Sequence, residues 1–281
     1  MAHAGPRTGK TGRMAVFCSD IDGTLLNSQR TISDRTIRAI TSVREAGHSF
    51  VLCSSRMPAS LRALERLYDA TDAPLVSYNG GHVLSAAGRV VSSTPIPADA
   101  ARQIYELCAG LGVHASFYAG DDWYAWARDQ WAEREISNTG VSPRSETAEH
   151  YVTSGEIDGA PPHKIMCMGE PALIDAIEQL VVRLPDAIGY RSKATYLEIG
   201  NVRCDKGTGI RDLEADLGVA VSECYFFGDN YNDLPAFAAV GTAIAVANAQ
   251  DAVLAAADVV TARHHDDGVA QYLEEWLRAH S

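Results

Sequence analysis

The chain has 281 residues, of which 46% are hydrophobic, and its 24 basic and 36 acidic side chains give a formal net charge of −12. That length and apolar content suffice for one large domain or two ordinary ones. The negative charge disfavours nucleic acid and anionic membranes, and no apolar run approaches the roughly 18 residues of a membrane span, so we expect neither partner.

The N-terminal segment at residues 1–13 is polar and glycine-rich, without the apolar stretch of a secretory signal, and we interpret it as a disordered tail. Residues 5–11 look like a phosphate-binding P-loop, but the pattern is one residue too short and follows no strand, so we discard it. The six cysteines include no C-x-x-C pair, which disfavours zinc and disulfides and favours a reduced compartment, the cytoplasm.

An apolar run at residues 14–18 has the character of a buried strand and leads directly into Asp20, Asp22 and Gly23. Ligands of open α/β sheets bind beyond the carboxyl ends of the strands, which would place both acids at the mouth of a cleft. One carboxylate can attack an electrophile while the other transfers a proton. Taken alone, an acid pair before glycine is also an ordinary turn or cap signal.

A helix at residues 34–46 precedes a second predicted strand at residues 49–53, which ends in Ser54, Ser55 and Arg56. Hydroxyl groups at a strand end can bind the oxygens of an anion, and Arg56 can add positive charge. Without its position in the chain, this tripeptide would be read as a simple loop.

A helix at residues 58–68 and a short strand at residues 74–78 follow, and the strand ends in Asn79 and Gly80. An Asn-Gly pair is primarily a hairpin signal, and the apolar residues on both sides of Gly88 continue that pattern. Asn79 at a strand end is also placed to contact a ligand.

The pattern changes at residues 86–190 to strand pairs with crossing helices, which is typical of a separate small α+β module. Three of the four tryptophans lie there, at Trp123, Trp126 and Trp131. They could form a stacking wall for a sugar or a flat ring. Packing within a core or between domains is the simpler interpretation, because aromatic side chains bury large apolar areas.

Lys206 opens a predicted helix, where an anion would be favoured by both the helix start and the ammonium group. A solvated surface lysine is the alternative. The next predicted strand, at residues 223–227, ends in Asp229, Asn232 and Asp233. Two acids four residues apart with an adjacent asparagine suit a hard cation with oxygen ligands, namely Mg²⁺.

Near the C-terminus, His264 and His265 with Asp266 and Asp267 resemble a set of metal ligands. They directly precede a predicted terminal helix, so capping by Asp266 or Asp267 is the simpler interpretation.

Four segment ends thus carry polar residues, which in chain order are Asp20 and Asp22, then Ser54, then Lys206, then Asp229 and Asp233. The set resembles the four motifs of the haloacid dehalogenase-like superfamily, and specifically its Cof-type phosphatases. Besides Asp20 and Asp22, the resemblance covers nearly the whole chain from Val16 and includes Ser77-Tyr78-Asn79-Gly80, Leu197-Glu198-Ile199, Lys206-Gly207, Gly228-Asp229, Asn232-Asp233 and Asp267-Gly268-Val269-Ala270.

The resemblance implies an α/β fold. A Rossmann-like parallel-sheet core at residues 14–85 and 191–281 would be interrupted by one inserted α/β cap domain at residues 86–190. Two departures from the family occur. Its usual Thr-Gly-Arg is Ser54-Ser55-Arg56 here, which would narrow the loop, and its usual apolar pair after the last acids is replaced by Leu234-Pro235.

The resemblance also implies roles for the residues. Asp20 matches the nucleophile that becomes an aspartyl-phosphate, and Asp22 matches the general acid and base, which a dehalogenase would not need. Mg²⁺ would be bound by the Asp20 carboxylate, the Asp22 backbone carbonyl and Asp229, with Asp233 nearby or acting through water. Catalysis and substrate binding would further involve Ser54, Ser55, Arg56, Asn79, Gly80, Lys206, Asn232 and Asn248.

We therefore expect a Mg²⁺-dependent phosphomonoester hydrolase of a small metabolite, such as a sugar phosphate or pyridoxal phosphate, acting as a monomer or homodimer. One alternative is a phosphomutase or phosphotransferase, in which a sugar hydroxyl accepts the phosphoryl group. Another is a slow metabolite-binding regulatory protein, against which the intact acids argue.

Overall fold

A computed structural model describes residues 14–280, apart from the side chain of Ser192, so the tail predicted at residues 1–13 lies outside the described residues. The strands within that range are β1 Val16–Ser19, β2 Ser49–Cys53, β3 Leu75–Ser77, β4 His82–Leu84, β5 Val90–Ser93, β6 His114–Ala119, β7 Asp122–Tyr124, β8 Lys164–Met168, β9 Ala187–Lys193, β10 Tyr196–Asn201, β11 Tyr225–Gly228, β12 Thr242–Val246 and β13 Val259–Thr261.

The α-helices of the same range are α1 Asp34–Glu45, α2 Pro58–Glu65, α3 Ala98–Leu111, α4 Gln130–Thr139, α5 Ala148–Thr153, α6 Glu156–Gly159, α7 Pro171–Val181, α8 Lys206–Asp212, α9 Glu214–Leu217, α10 Leu234–Phe237, α11 Asp251–Ala256 and α12 Gly268–His280. Short 3₁₀ turns lie at Arg66–Tyr68, Tyr78–Gly80, Val221–Glu223, Tyr231–Asp233 and His264–Asp266. None of the helices that the structure describes is long and apolar enough to cross a bilayer.

The larger of two sheets has the strand order β13-β12-β11-β1-β2-β3-β4-β5. Its strands from β13 to β3 pair in parallel, whereas β4 and β5 pair antiparallel, which confirms the hairpin predicted from Asn79 and Gly80. The Rossmann-like α/β fold is confirmed. Since parallel strands point the same way, the carboxyl ends of β1, β2, β3 and β11 meet at one edge of the sheet.

Helices cover both faces of this sheet, which explains why β1 is buried along its whole length. On one face, Phe17 belongs to an apolar cluster with Ile40 of α1 and Leu273 of α12. On the other, Cys18 belongs to a cluster with Ile210 of α8. The period of two along the strand sends neighbouring side chains into opposite layers and so fixes the orientation of the acids that follow.

The smaller sheet is antiparallel, with the order β7-β6-β8-β10-β9. Its outer face is covered by α3 and α7, through residues such as Ile104 and Ile177. Its other face contributes to an apolar cluster that also contains Met57, which precedes α2, and Tyr78, which follows β3 of the larger sheet. The two sheets are therefore joined by shared hydrophobic packing as well as by the chain.

The three tryptophans pack within hydrophobic clusters, which is the simpler of the two interpretations of the sequence. Trp123 is buried in the cluster shared by the two sheets, and Trp131 packs against it. Trp126 packs against the core of the smaller sheet's helical layer. None of the three lines the cavity described below.

The strand pairing shows that the chain passes from one sheet to the other at different residues from those predicted. Residues 191–201 were predicted to belong with the larger sheet, but β10 pairs with β8 and β9 in the smaller one. Similarly, β5 lies beyond residue 86 yet pairs with β4 in the larger sheet. The alternation of apolar residues in these strands fits either sheet, so only the hydrogen bonds decide. The division into core and cap domains stays a prediction.

All six cysteines fall within the described range, where they are free and buried. Burial raises the pKa of Cys204 and Cys224, so they behave as small core residues rather than as nucleophiles.

Glu65 is a fully buried carboxylate on α2, away from the ends of the central strands. Its Oε2 accepts a hydrogen bond of 2.6 Å from Arg62, while Oε1 has no partner among residues 14–280. Burial raises its pKa from 4.5 to about 7, although Arg62 and Arg44 oppose the shift. The folded protein thus binds this proton more tightly than the unfolded chain, so stability falls as pH rises from 4.5 through 7.

We expect Glu65→Gln to raise the free energy of unfolding at pH 8 by roughly 2–3 kcal/mol, because the amide removes the cost of burying an ionised group. At pH 4 the gain should vanish, since Glu65 is then protonated in both states. Urea unfolding at the two pH values measures this, with the exposed Glu45 changed to Gln as control. An equal effect at both pH values would contradict the assignment.

Candidate active site

The carboxyl ends of the central strands border a cavity of about 460 Å³. The larger sheet contributes Asp20 and Asp22 after β1, Ser54 and Ser55 after β2, Asn79 after β3 and residues 230–232 after β11. The smaller sheet contributes residues 189–191 of β9 and Glu198 of β10. The cavity is therefore enclosed by both sheets, with the acids predicted from the sequence on the larger one.

Three carboxylates meet beside this cavity. One oxygen each from Asp20, Asp229 and Asp233 lies within 4.8 Å of the others. Asp20 is 6% exposed and Asp233 is fully buried. Burial raises the pKa of Asp20 and of Asp229, and the neighbouring carboxylates raise both further. The cluster therefore carries more negative charge than its surroundings neutralise.

Lys206 lies at the centre of this cluster rather than in solvent. Its Nζ donates hydrogen bonds of 2.5 Å to Asp20 Oδ1 and 2.6 Å to Asp233 Oδ1, and the side chain is fully buried. Burial alone would lower the pKa of Lys206, but the two carboxylates outweigh it and raise the pKa, so the ammonium stays charged. The start of α8 that carries it is fixed by a capping box between Asp205 and Thr208.

The remaining oxygens of the cluster are fixed by short contacts. Asp233 Oδ2 accepts hydrogen bonds from the backbone N–H groups of Asp229 and Asn230, at 2.9 and 3.0 Å. Asp229 Oδ1 accepts one of 2.7 Å from the Thr24 hydroxyl. Both oxygens of Asp233 are thus engaged, while one oxygen of Asp20 is held by Lys206 and one oxygen of Asp229 by Thr24. Thr24 was not singled out from the sequence, although its place directly after the acid motif was the available signal.

Asp22 is held by arginine. Arg56 donates two hydrogen bonds of 2.7 Å to the two carboxylate oxygens, and Arg30 adds one of 2.9 Å. Burial by itself would raise the pKa of Asp22, but the hydrogen bonds and charge of Arg56, with Arg30, lower it. Arg56 was expected to face an anion; in this structure its planar fork matches a carboxylate of the chain instead.

The polar residues at the ends of β2 and β3 are connected to each other and to the smaller sheet. The Ser54 hydroxyl is buried and accepts a hydrogen bond of 3.3 Å from the Arg56 N–H. Asn79 adopts a left-handed conformation with φ of +52°, and its Nδ2 donates to Glu198 Oε1 at 3.3 Å. Asn232 in turn donates to Asn79 Oδ1 at 3.2 Å. Asn79 is therefore both a turn residue and part of the cavity wall.

Gly80 and Asn248 lie outside the cavity wall. Gly80 has a φ of +94°, and a Cβ there would meet the backbone oxygen of Asp205 at 2.2 Å. Glycine is therefore needed where the β3–β4 turn packs against the start of α8. The Asn248 amide donates to the Gly23 carbonyl and accepts from the His264 N–H, both at 2.8 Å, so it holds the loop that carries the acids.

The two adjacent histidines do not form a metal site with the acids that follow them, as far as the described residues show. His264 Nδ1 lies 2.8 Å from the Leu26 carbonyl oxygen, and Asp267 Oδ1 accepts a hydrogen bond from the Ser33 hydroxyl at 2.6 Å. These contacts tie the start of α12 to the segment after β1.

Sequence reasoning did not assign a role to Tyr190, Arg191, Glu198 or Tyr231, although all four line the cavity. Tyr231 lies between the acids after β11, so its position gave a signal. Glu198 lies in one of the segments that carry the family resemblance, which was the available signal. For Tyr190 and Arg191 no signal existed, since their place depends on how the smaller sheet sits over the larger one.

Comparison with known proteins agrees with this geometry. The family model of haloacid dehalogenase-like hydrolases matches residues 17–273. A Haemophilus influenzae protein named "Putative phosphatase" is 34% identical over 93% of this chain and 97% of its own length, and the pyridoxal phosphate phosphatase of Escherichia coli (strain K12) is 24% identical over 93% and 98%.

Among solved structures, a haloacid dehalogenase-like hydrolase from Bacteroides thetaiotaomicron has a TM-score of 0.85 and 26% identity, over 94% of this chain and 99% of its own. Matches of this extent cover both sheets and every strand end that borders the cavity. The chain therefore belongs to the haloacid dehalogenase-like hydrolase family, within which it is a phosphatase.

Proposed function

We propose that this phosphatase hydrolyses small phosphorylated metabolites with the help of Mg²⁺, through an aspartyl-phosphate formed on Asp20. The observation that carries the proposal is the position of Asp20, which borders the cavity while its Oδ1 is held 2.5 Å from the Lys206 ammonium. Its second oxygen would attack the phosphorus atom.

The donor set fits Mg²⁺. Three clustered carboxylates share one buried ammonium group, and the raised pKa of Asp20 and Asp229 marks the uncompensated negative charge. Carboxylate and carbonyl oxygens are the ligands that Mg²⁺ prefers in proteins. Asp20, Asp229 and the backbone carbonyl of Asp22 would hold the ion, with Asp233 nearby or acting through a water. When bound, it supplies positive charge beside the transferring phosphoryl group.

In the first half of the reaction, Asp20 attacks the phosphorus atom and the bond from phosphorus to the alcohol oxygen breaks. Asp22 gives its proton to that oxygen, so the alcohol leaves neutral. In the second half, Asp22 takes a proton from water as the water oxygen attacks phosphorus, which releases phosphate and restores the Asp20 carboxylate. Ser54 and Lys206 would hold the transferring phosphoryl oxygens.

Asp22 must be protonated to act as an acid, yet Arg56 keeps its pKa low in the free protein. A phosphate dianion entering beside Ser54 competes for the Arg56 guanidinium and adds negative charge next to Asp22. Both effects raise the pKa of Asp22 when substrate is bound. The ion pair between Asp22 and Arg56 would therefore belong to the substrate-free enzyme and break when substrate binds.

The alcohol part of the substrate would lie against residues 189–191 and Glu198 of the smaller sheet. A cavity of about 460 Å³ suits a metabolite of modest size. A sugar phosphate and a pyridoxal phosphate-like ester are both candidates, and the E. coli relative is named for pyridoxal phosphate.

We expect hydrolysis of p-nitrophenyl phosphate to stop when EDTA removes divalent cations and to return when Mg²⁺ is added. For glycerol 3-phosphate, whose alkoxide leaving group needs a proton, Asp22→Asn should lower kcat by roughly 10²- to 10⁴-fold, the usual contribution of general acid–base catalysis. Asp99→Asn is the matched control, because that side chain is 94% exposed on α3. Full activity in EDTA would rule out the metal, and a fully active Asp22→Asn enzyme would rule out the acid.

A further inference from the structure

Tyr190 and Tyr231 differ from the other tyrosines of the chain in their aromatic contacts. Each of the eleven tyrosines lies within residues 14–280, and each packs against another aromatic ring except Tyr190 and Tyr231. These two are also the exposed ones, at 38% and 60% of their surface. Aromatic side chains normally bury their large apolar area, and among residues 14–280 these two rings do not do so against another aromatic ring.

Both rings border the cavity that holds Asp20. Tyr190 belongs to β9 of the smaller sheet, and Tyr231 opens the 3₁₀ turn that ends at Asp233. One tyrosine therefore comes from each sheet. A phosphoryl group seated at Asp20 would leave the alcohol part of the substrate in the space that these two rings border.

The charged groups at this part of the wall limit what the alcohol part can be. Arg191 is occupied by Asp175 and Glu178 and by the carbonyl oxygen of Ala194, so it is not free to bind a second anion. Glu198 has a side chain that is 15% exposed, held by Asn79 at 3.3 Å and facing Lys164 at 3.7 Å. Lys164 compensates the charge of Glu198, but a carboxylate has more acceptor sites than these two partners fill. Glu198 can therefore accept a further hydrogen bond from a donor on the alcohol part.

We propose that Tyr190 and Tyr231 form the site for the leaving group, and that this group is a flat conjugated ring with a hydrogen-bond donor directed at Glu198. The proposal rests on the phosphatase function proposed above and narrows its substrate class. Contact between two aromatic rings gains up to about tenfold in affinity beyond the burial of area. Neither ring is used by the chemistry at Asp20, which leaves selection of substrate as its role.

The test compares two esters of primary alcohols with the same phosphate charge, pyridoxine 5′-phosphate and glycerol 3-phosphate. The wild-type kcat/KM should be higher for the ring-bearing ester by about tenfold or more. Tyr190→Leu and Tyr231→Leu should each lower kcat/KM for pyridoxine 5′-phosphate by about tenfold and change that for glycerol 3-phosphate much less. Tyr190→Phe and Tyr231→Phe keep the ring and should retain the preference.

Calorimetric binding to the Asp20→Asn protein separates this proposal from the proposed function. If neither ester is hydrolysed but Tyr190→Leu weakens binding of pyridoxine 5′-phosphate, the function fails and the ring site stands. If both esters are hydrolysed equally well and the leucine variants change neither, the ring site fails and the function stands. Tighter, tyrosine-dependent binding of glucose 6-phosphate would also overturn the ring site.

Discussion

Asp20→Asn is expected to abolish hydrolysis, lowering kcat by at least about 10⁴-fold, because an amide cannot form the covalent phosphoryl intermediate. The neutral side chain has nearly the same shape, and Lys206 keeps its hydrogen bond of 2.6 Å to Asp233. The variant should therefore fold and still bind phosphate esters. Loss of turnover with binding retained is the pattern expected of a missing nucleophile.

Steady-state hydrolysis of p-nitrophenyl phosphate measures the loss, and circular dichroism checks the fold. Asp99→Asn makes the same chemical change at an exposed position of α3 and should have full activity. More than a tenth of the wild-type rate in Asp20→Asn would exclude Asp20 as the nucleophile, whatever its neighbours do.

The second large effect is expected at Lys206, as a loss of both stability and activity. Lys206→Met leaves Asp20 and Asp233 buried without their ammonium partner, and breaking a buried ion pair from one side costs about 3–5 kcal/mol. Turnover should be lost as well, since Asp20 is no longer held. Mg²⁺ should recover part of the lost stability, because it supplies positive charge to the same carboxylates.

Urea unfolding with and without Mg²⁺ measures both parts of this prediction. Lys193→Met is the control, since that lysine is exposed on β9 and should change stability by less than about 1 kcal/mol. An Lys206→Met protein as stable as wild type would mean that its ammonium does not neutralise the cluster.

The acids of the site were predictable because they depend on local sequence and one rule of sheet geometry. A buried strand that ends in Asp20, or in Asp229, can be recognised from its apolar run, and parallel strands bring such ends together. The conflict between the charge of Lys206 and the helix start indicated a nearby anion, and the family resemblance assigned this lysine to the site. These expectations needed no knowledge of how side chains pack.

The contacts of Arg56, the strand at Tyr196–Asn201 and the position of Tyr190 could not be predicted in this way. Arg56 can reach either an anion or Asp22, and only the side-chain geometry shows that it binds Asp22. Leu197 and Ile199 alternate as they would in either sheet. Tyr190 borders the cavity only because the smaller sheet is placed over the larger one, and that placement depends on contacts distant in sequence, such as the hydrogen bond from Asn79 to Glu198.

The cavity that two sheets enclose has a consequence for how new specificities arise. The residues that we propose as catalytic follow strands of one sheet, whereas residues 189–191 and Glu198 belong to the other. Under that proposal, mutations along β9 change which metabolite is accepted and leave the catalytic residues unchanged. A laboratory library confined to this strand would sample new substrates at little risk to the chemistry.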